Sequence, residues 1–347
     1  MEMKKEIIAL AIAATAIAGC AKPATPGLND ANQKYFESWI KVNCPNALRT
    51  SLGSYILEEK DGSGKSISDL SYITANYNLR SLDGTITSTS SSEIAKQLGT
   101  YDITTFYGPG IWYRGDNNLY AGIEELIAGK HVGAKIHAVI PGWLITNKRY
   151  DTAEGYLKYE SGTDAIYEFE ITDAFNNVKT WEVDSLVRYL RRNYPQVNPA
   201  DTLNAETDSL QTKKYGFYYI RTQESPRPDS TFDSNASVYV NYIGRRLDGT
   251  VFDTNIKDSA KFYGLYNTSA TYAPTLINWN EKYDGLTMTS SGSEIIDGFK
   301  FALFQMKPYE HGTALFYSGW GYGVNGSGES IPSYSPLRFD FELVDKK

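Results

Sequence analysis

Cysteine is almost absent: the 347-residue chain has two, Cys20 and Cys44. A dense disulfide framework is excluded, so stability has to come from burial. Histidine is nearly as scarce, at 3. His131, His137 and His311 have no metal-ligand spacing with a cysteine or with each other, so no metal and no cofactor is expected. Positive charge is in short supply: 34 Lys and Arg face 41 Asp and Glu, a net charge of −7. That argues against nucleic acid as the main partner. Beyond the N-terminus no apolar run approaches the roughly 20 residues of a membrane-spanning helix. A phosphate-binding loop is missing too. Gly64-Lys65-Ser66 matches its end, but the earlier glycine it requires falls at Glu59. What the chain has in plenty is aromatic: 27 Tyr, 14 Phe and 6 Trp. Such side chains suit surfaces that hold other chains or sugars, and they suit strands equally well.

The N-terminus carries Lys4 and Lys5, then an apolar run from Ile7 to Gly19. The run is too short to span a bilayer and has the length of a secretory h-region. It ends in Ile17-Ala18-Gly19-Cys20, which resembles the lipobox of bacterial lipoproteins. That resemblance implies a signal peptide over 1–19 and a diacylglycerol on the Cys20 thiol. Cys44 would then have no cysteine to pair with inside the chain. Residues 20–31 are polar, with Pro and Gly, and read as a flexible tether.

The remainder reads as two copies of one pattern. Each opens with a short amphipathic helix, on Phe36, Trp39 and Ile40 in one and on Val183, Leu186, Val187 and Leu190 in the other. Each helix stops at Asn-x-Pro, Asn43-Cys44-Pro45 and Asn193-Tyr194-Pro195, because proline cannot continue a helix. Strands follow at Gly53–Leu57 and Gly216–Ile220. The best internal match pairs YNLRSLDGTIT from Tyr77 with YIGRRLDGTVF from Tyr242. Asp-Gly between β-rich runs predicts a hairpin turn. Helical segments LYAGIEELIAG and EIIDGFKFALFQM come next, with apolar stripes on Leu119, Ile123, Ile127 and on Ile295, Phe299, Leu303. Each copy closes on a strictly alternating strand, with Ala165, Tyr167, Phe169, Ile171 and then Leu337, Phe339, Phe341, Leu343 on one face. The expected fold class is α+β: two domains, 32–175 and 176–347, each an antiparallel sheet wrapped over one short helix and preceded by a linking helix. The polar stretch 195–213 reads as a loop inside the second copy.

The second copy resembles the FKBP-type peptidyl-prolyl isomerases over roughly residues 214–346. Four blocks in order carry the resemblance: VNYIGRRLDGTVFDTN, EIIDGFKFALFQM, GWGYGVNG and IPSYSPLRFDFEL. The first copy is similar more weakly, over about 53–171. The preceding helices resemble the dimerising or linking helices of some exported members, which leaves a homodimer open.

The resemblance implies catalysis of rotation about X-Pro bonds. Such rotation needs neither nucleophile nor metal. It needs a dry, aromatic pocket that favours the twisted amide, whose charge separation is smaller than that of the planar one. By position, Tyr242, Phe252, Asp253, Ile295, Ile296, Phe299 and Phe339 match the family's pocket residues. Phe299 would be the floor, where the family commonly has Trp. Tyr242, Phe252 and Phe339 would be walls, Ile296 would offer its backbone N–H, and Asp253 would buttress the rim. Trp320 stands where the family often has a Tyr that binds a substrate carbonyl; an indole N–H can donate but not accept. The stretch 254–293 is unusually long, and either extends the site or blocks it. In the first copy Tyr77, Tyr120, Trp143 and Tyr167 hold pocket-like positions. Thr87 and Ser88 replace Phe252 and Asp253, and Ile123 replaces the floor, so this copy is expected to be a non-catalytic binding or scaffold domain.

The leading expectation is thus a lipid-anchored prolyl isomerase that assists folding of exported proteins. Its partners would be proline-containing polypeptide clients. Its place would be the envelope of a Gram-negative-type bacterium, on the outer membrane facing the periplasm. The alternatives are a non-catalytic chaperone on the same fold and a protein- or glycan-binding lipoprotein.

Overall fold

The computed structural model describes residues 27–198, 215–288 and 295–345. The signal segment, Cys20 and most of the 195–213 loop lie outside these residues. Among the described residues no helix is long and apolar enough to cross a membrane. Nor is any group of three or more His, Cys, Asp or Glu placed to hold a metal ion.

The first domain runs α1 (Asp30–Asn43), β1 (Leu48–Arg49), β2 (Tyr55–Lys60), β3 (Tyr72–Arg80), β4 (Ile86–Thr89), α2 (Ser92–Leu98), β5 (Gly110–Tyr113), α3 (Ala121–Ile127), β6 (Lys135–Ile140), α4 (Ala153–Tyr159), β7 (Ala165–Phe175). The second runs α5 (Val178–Asn193), β8 (Phe217–Gln223), β9 (Ser237–Arg246), β10 (Val251–Thr254), the helix Lys257–Phe262, β11 (Thr275–Asn278), β12 (Thr287–Met288), the helix Asp297–Phe304, β13 (His311–Phe316) and β14 (Leu337–Val344). The α+β expectation holds, and both sheets are antiparallel and seven-stranded among the described residues.

The repeat extends to the register. One sheet has the order β2-β6-β7-β3-β4 with β5 on β3; the other has β8-β13-β14-β9 with β10 and β11 on β9. Tyr77 faces Phe169 across one ladder, and Tyr242 faces Phe341 across the other. Both Asp-Gly turns place the glycine at positive φ, +89° at Gly84 and +90° at Gly249, a conformation glycine adopts without steric cost. In each the Asp carboxylate accepts the N–H of the Thr two residues on. Both linking helices also stop as expected. The residue before each proline, Cys44 or Tyr194, leaves helical φ/ψ but still donates its N–H to the last turn.

Packing explains the apolar patterns. In the first domain Ile123, Leu126 and Ile127 of α3 meet Ile136, Phe169 and Ile171 in one core, to which α1 adds Phe36 and Ile40. In the second, Phe299, Ala302 and Leu303 meet Val240, Phe339, Phe341 and Leu343. Helix α5 covers the sheet with Leu186 and Leu190 on Tyr218, Ile220 and Leu315. Leu315 therefore joins one core while its neighbours Ala314 and Phe316 join the other. β13 is buried on both faces, and from Gly312 to Phe316 it is buried at every residue, as expected for a doubly covered strand.

One buried charge tunes this packing. Glu182 of α5 accepts the Ser318 N–H and hydroxyl, each at 2.9 Å, and is 1% exposed. Burial pushes its carboxyl up to about 7, against the lowering effect of the two Ser318 bonds. The folded pKa lies above the unfolded one, so the folded state holds a proton that the unfolded state has lost. Stability from this group is full below the unfolded pKa and falls as pH rises to about 7. Glu182→Gln keeps an acceptor for Ser318 and removes the titration. Its melting temperature at pH 8 should exceed wild type by several degrees, for a ceiling of about 3 kcal/mol. Melting curves at pH 5 and pH 8 check this: equal pH slopes for the two proteins would refute it.

Candidate functional site

The site of the second domain is built on β9, β10 and the helix Asp297–Phe304. That helix starts at Asp297, with Ile296 as its N-cap, so Ile295 lies before the helix rather than on its stripe. Ile295 is buried all the same. Phe299 sits in the first turn, 4% exposed. Its ring meets Tyr242 edge-on at 5.3 Å, Phe339 at 5.4 Å and Phe341 at 4.8 Å. Phe252 on β10 is half-buried and meets Phe339 edge-on at 5.6 Å. These T-shaped contacts place ring edges on ring faces, as aromatic quadrupoles prefer. Gly244 makes the box possible. A Cβ there would stand 2.7 Å from Phe252 and 2.9 Å from Phe339, so the walls pass directly over bare backbone.

Polar bonds set the rim. The Asn255 carboxamide accepts the Tyr242 N–H at 2.9 Å and donates to the Val240 carbonyl at 2.8 Å. Thr254 donates to the Tyr242 carbonyl at 2.7 Å. These bonds hold β10 beside β9 and carry the Tyr242 hydroxyl to Asp253 Oδ2, to which it donates at 2.8 Å. Asp253 keeps an open edge, but protein surrounds most of its carboxylate, and this burial raises its pKa against the Tyr242 and Thr254 bonds. Burial first, and the Asp253 charge second, push the Tyr242 hydroxyl up. The same two causes push up Tyr322, which places its hydroxyl in the field of the same carboxylate. In front of these groups lies a cavity of about 770 Å³, lined by Tyr242, Phe252 and Asp253 and, across from them, by residues of the 264–276 segment such as Tyr266 and Pro274.

The structure thus brings Tyr242, Phe252, Asp253, Phe299 and Phe339 together. Ile295 and Ile296 pack against the same core. Trp320 packs against that core too, but its polar edge is spent. Its indole N–H donates to the Tyr215 carbonyl at 3.0 Å, and its ring stacks on Phe301 and meets Phe217. Its one donor is committed within the chain, so Trp320 does not stand in for a carbonyl-binding tyrosine. Tyr322, two residues on, is partly buried against the same core, and the Asp253 charge is among the causes that push its hydroxyl up.

The long segment after β10, as far as Met288, neither hangs free nor fills the box. β11 pairs with β9 from Thr275 to Asn278, and Trp279 is buried against Phe232 and Phe304. Tyr266 stacks on Tyr272 at 5.5 Å on the far side of the cavity. Its residues 264–267 and 270–276 line the cavity.

The first domain's pocket-like residues do not converge. Trp143 is core, edge-on to Phe36 of α1 at 5.5 Å, and Tyr120 is exposed. Leu79 occupies the position of Gly244. Trp112 of β5 leans on Tyr77 at 6.0 Å and on Phe169 at 5.4 Å. This domain has a cavity of its own, about 830 Å³, but Glu58, Glu59, Lys60, Lys135, Glu168 and Glu170 are among its lining. Charges of that density keep water in place, which disfavours a twisted amide.

Residues 229–344 match the family model for FKBP-type peptidyl-prolyl cis-trans isomerases. The chain is 32% identical over 108 residues to the macrophage infectivity potentiator of Trypanosoma cruzi, a match that covers 31% of this chain and 42% of that protein. It is 29% identical over 143 residues to the probable FKBP-type peptidyl-prolyl cis-trans isomerase FkpA of Neisseria meningitidis serogroup B, covering 41% and 42%. Each match spans less than half the relative's length. The crystal structure of the three FKBP domains of wheat FKBP73 aligns with 84% of this chain and 94% of that one, at 15% identity and a TM-score of 0.27.

Proposed function

We propose, for a chain whose residues 229–344 belong to the FKBP-type peptidyl-prolyl cis-trans isomerase family, that the second domain catalyses rotation about X-Pro bonds of exported client proteins. The observation that carries this is the aromatic box beside the Tyr242–Asp253 pair, of which Tyr242, Phe252 and Asp253 line a cavity of about 770 Å³. The uncatalysed barrier is about 18–20 kcal/mol, because amide resonance resists rotation. Phe252, Tyr242 and Phe339 would hold the proline ring on the Phe299 floor, away from water. Loss of resonance lowers the amide's charge separation, so this apolar surround favours the twisted state over the planar one. The Ile296 N–H precedes the first helical turn, where amides lack intrahelical acceptors, and would bind one substrate carbonyl. Tyr322 would donate to another. Asp253 would orient Tyr242 and act as a buttress rather than a base.

A second reading has its own support. The 264–276 segment lengthens the cavity and adds aromatic surface, which suits a chaperone that holds unfolded chain. Anchoring through Cys20 at an outer membrane, facing the periplasm, remains part of the proposal and rests on the lipobox-like residues.

The test is cis-to-trans exchange of a Phe-Pro peptide with residues 21–347. Acceleration is expected. Tyr322→Phe should lower kcat/KM about 2- to 10-fold, the worth of one hydrogen bond, whereas Trp320→Phe should change it less. No acceleration by a folded protein would leave the chaperone reading. A larger loss from Trp320→Phe than from Tyr322→Phe would mean that Tyr322 does not bind the substrate carbonyl.

A further inference from the structure

The cavity in front of the aromatic box is not lined by the second domain alone. Asp102, Ile103 and Thr104 of the first domain, between α2 and β5, line it together with Tyr242, Phe252 and Asp253. Ile103 is 47% exposed. On the opposite lip it faces Gly264, where a Cβ would stand 3.5 Å from Ile103 Cδ1.

The loop is fixed from both sides. Within it, the Asp102 carboxylate accepts the Thr104 N–H at 2.7 Å, the Asp102 N–H donates to the Tyr107 hydroxyl at 3.2 Å, and Tyr101 stacks on Tyr107 at 5.4 Å. Across the domain boundary, the Phe106 N–H donates to the Glu329 carbonyl at 2.8 Å. Arg246, 4% exposed, donates to the Thr104 carbonyl at 2.9 Å and to the Ser330 carbonyl at 2.5 Å. Its guanidinium also covers the Phe106 ring at 5.4 Å. A guanidinium with several fixed donors suits such a hook, because its planar fork loses little freedom per bond formed.

The hook is not a property of the repeated module. At the same place in the first Leu-Asp-Gly-Thr turn stands Ser81, whose hydroxyl bonds within its own turn to Asp83 and the Thr85 carbonyl. The second copy alone carries Arg246, and it uses it to seize the first.

We propose that the first domain supplies a wall of the second domain's substrate site, with Ile103 as a specificity-determining contact for an apolar side chain flanking the proline. This rests on the isomerase reading. The degenerate copy is then a part of the site: without a matching aromatic box, it lends a rim to its neighbour's. Because the loop is ordered before substrate arrives, the contact adds no ordering cost at binding.

The test uses the chain 21–347 and peptides of form X-Pro-Y, with X and Y set independently to Leu or Ala. Wild type is expected to prefer Leu over Ala by at least fivefold in kcat/KM at one of the two positions. Ile103→Ser should bring that ratio below twofold. Ile103 is largely solvent-facing, so this substitution should cost little stability, which a melting curve checks. An unchanged ratio in Ile103→Ser, or no Leu preference in wild type, overturns the proposal. If wild type accelerates none of the peptides, the isomerase reading fails by itself. Binding of the same peptides, followed by titration calorimetry, then decides the wall: loss of the Leu preference in the variant supports it, an unchanged preference or no binding overturns it.

Discussion

Phe252→Ala is expected to lower kcat/KM for a Phe-Pro peptide about 30- to 100-fold while the protein stays folded. Phe252 is a half-buried wall that lines the cavity and meets Phe339 edge-on. Its removal admits water to the side of the box where the amide must lose its resonance. Water solvates the planar, more charge-separated amide better than the twisted one, so the transition state loses more than the ground state. A differential loss of about 2.0–2.7 kcal/mol gives the stated factor. The change should appear in kcat as well as in kcat/KM, because the interaction strengthens during rotation. The stability cost should be no more than about 1–2 kcal/mol, since the ring is only partly buried and sits on β10, a four-residue strand. Exchange kinetics on a folded variant settle the matter. Undiminished exchange would move the active site elsewhere in the chain.

Phe299→Ala should be the most destabilising substitution in the second domain, at about 3–5 kcal/mol. The ring has almost no exposure and is ringed by Tyr242, Phe339 and Phe341, with centroids 4.8–5.4 Å away. None of these can close the void without leaving its own T-shaped contact, so the cavity term is felt nearly in full. Melting of the second domain should fall by roughly 10 °C or more, with the transition of the first domain less affected because the two have separate cores. Phe299→Leu keeps most of the volume and should cost about 1–2 kcal/mol. Calorimetry that found the two substitutions equal would mean that the ring is not packed as described.

Much of the fold is legible from the residues alone, and for a physical reason. The Leu-Asp-Gly-Thr turns, the Asn-x-Pro stops and the alternating closing strands depend on local chemistry: a glycine at positive φ, a proline without its N–H, side chains that alternate across a pleat. Each acts over a few residues, so each can be read from a few residues. Phe252, Asp253 and Phe299 are legible for a related reason. They sit at set distances from a turn or a helix start, and the ladder from β9 to β10 and β14 carries those distances into space.

Trp320 and Tyr322 are not separable in this way. They lie two residues apart in a glycine-rich turn, and Trp320 is committed by the acceptor that the Tyr215 carbonyl offers it, more than a hundred residues away. Trp143 departs from its expected pocket position for the same kind of reason, since α1 brings Phe36 against it and makes it core. The extent of the 254–293 segment is visible in the sequence, but its role is not, because only the pairing of β11 with β9 puts Tyr266 and Pro274 on the far lip of the cavity.

The amino-acid sequence by itself therefore determined the repeat and the α+β class of each half, which follow from local propensity and short-range periodicity. Only the tertiary structure decided that the Trp320 indole is spent on the Tyr215 carbonyl, that Leu79 and Trp112 leave the first domain without a matching box, and that Arg246 draws Ile103 to the rim of the second. Those outcomes depend on contacts between residues far apart in the chain, and no local pattern encodes which distant partner a donor or a ring will find.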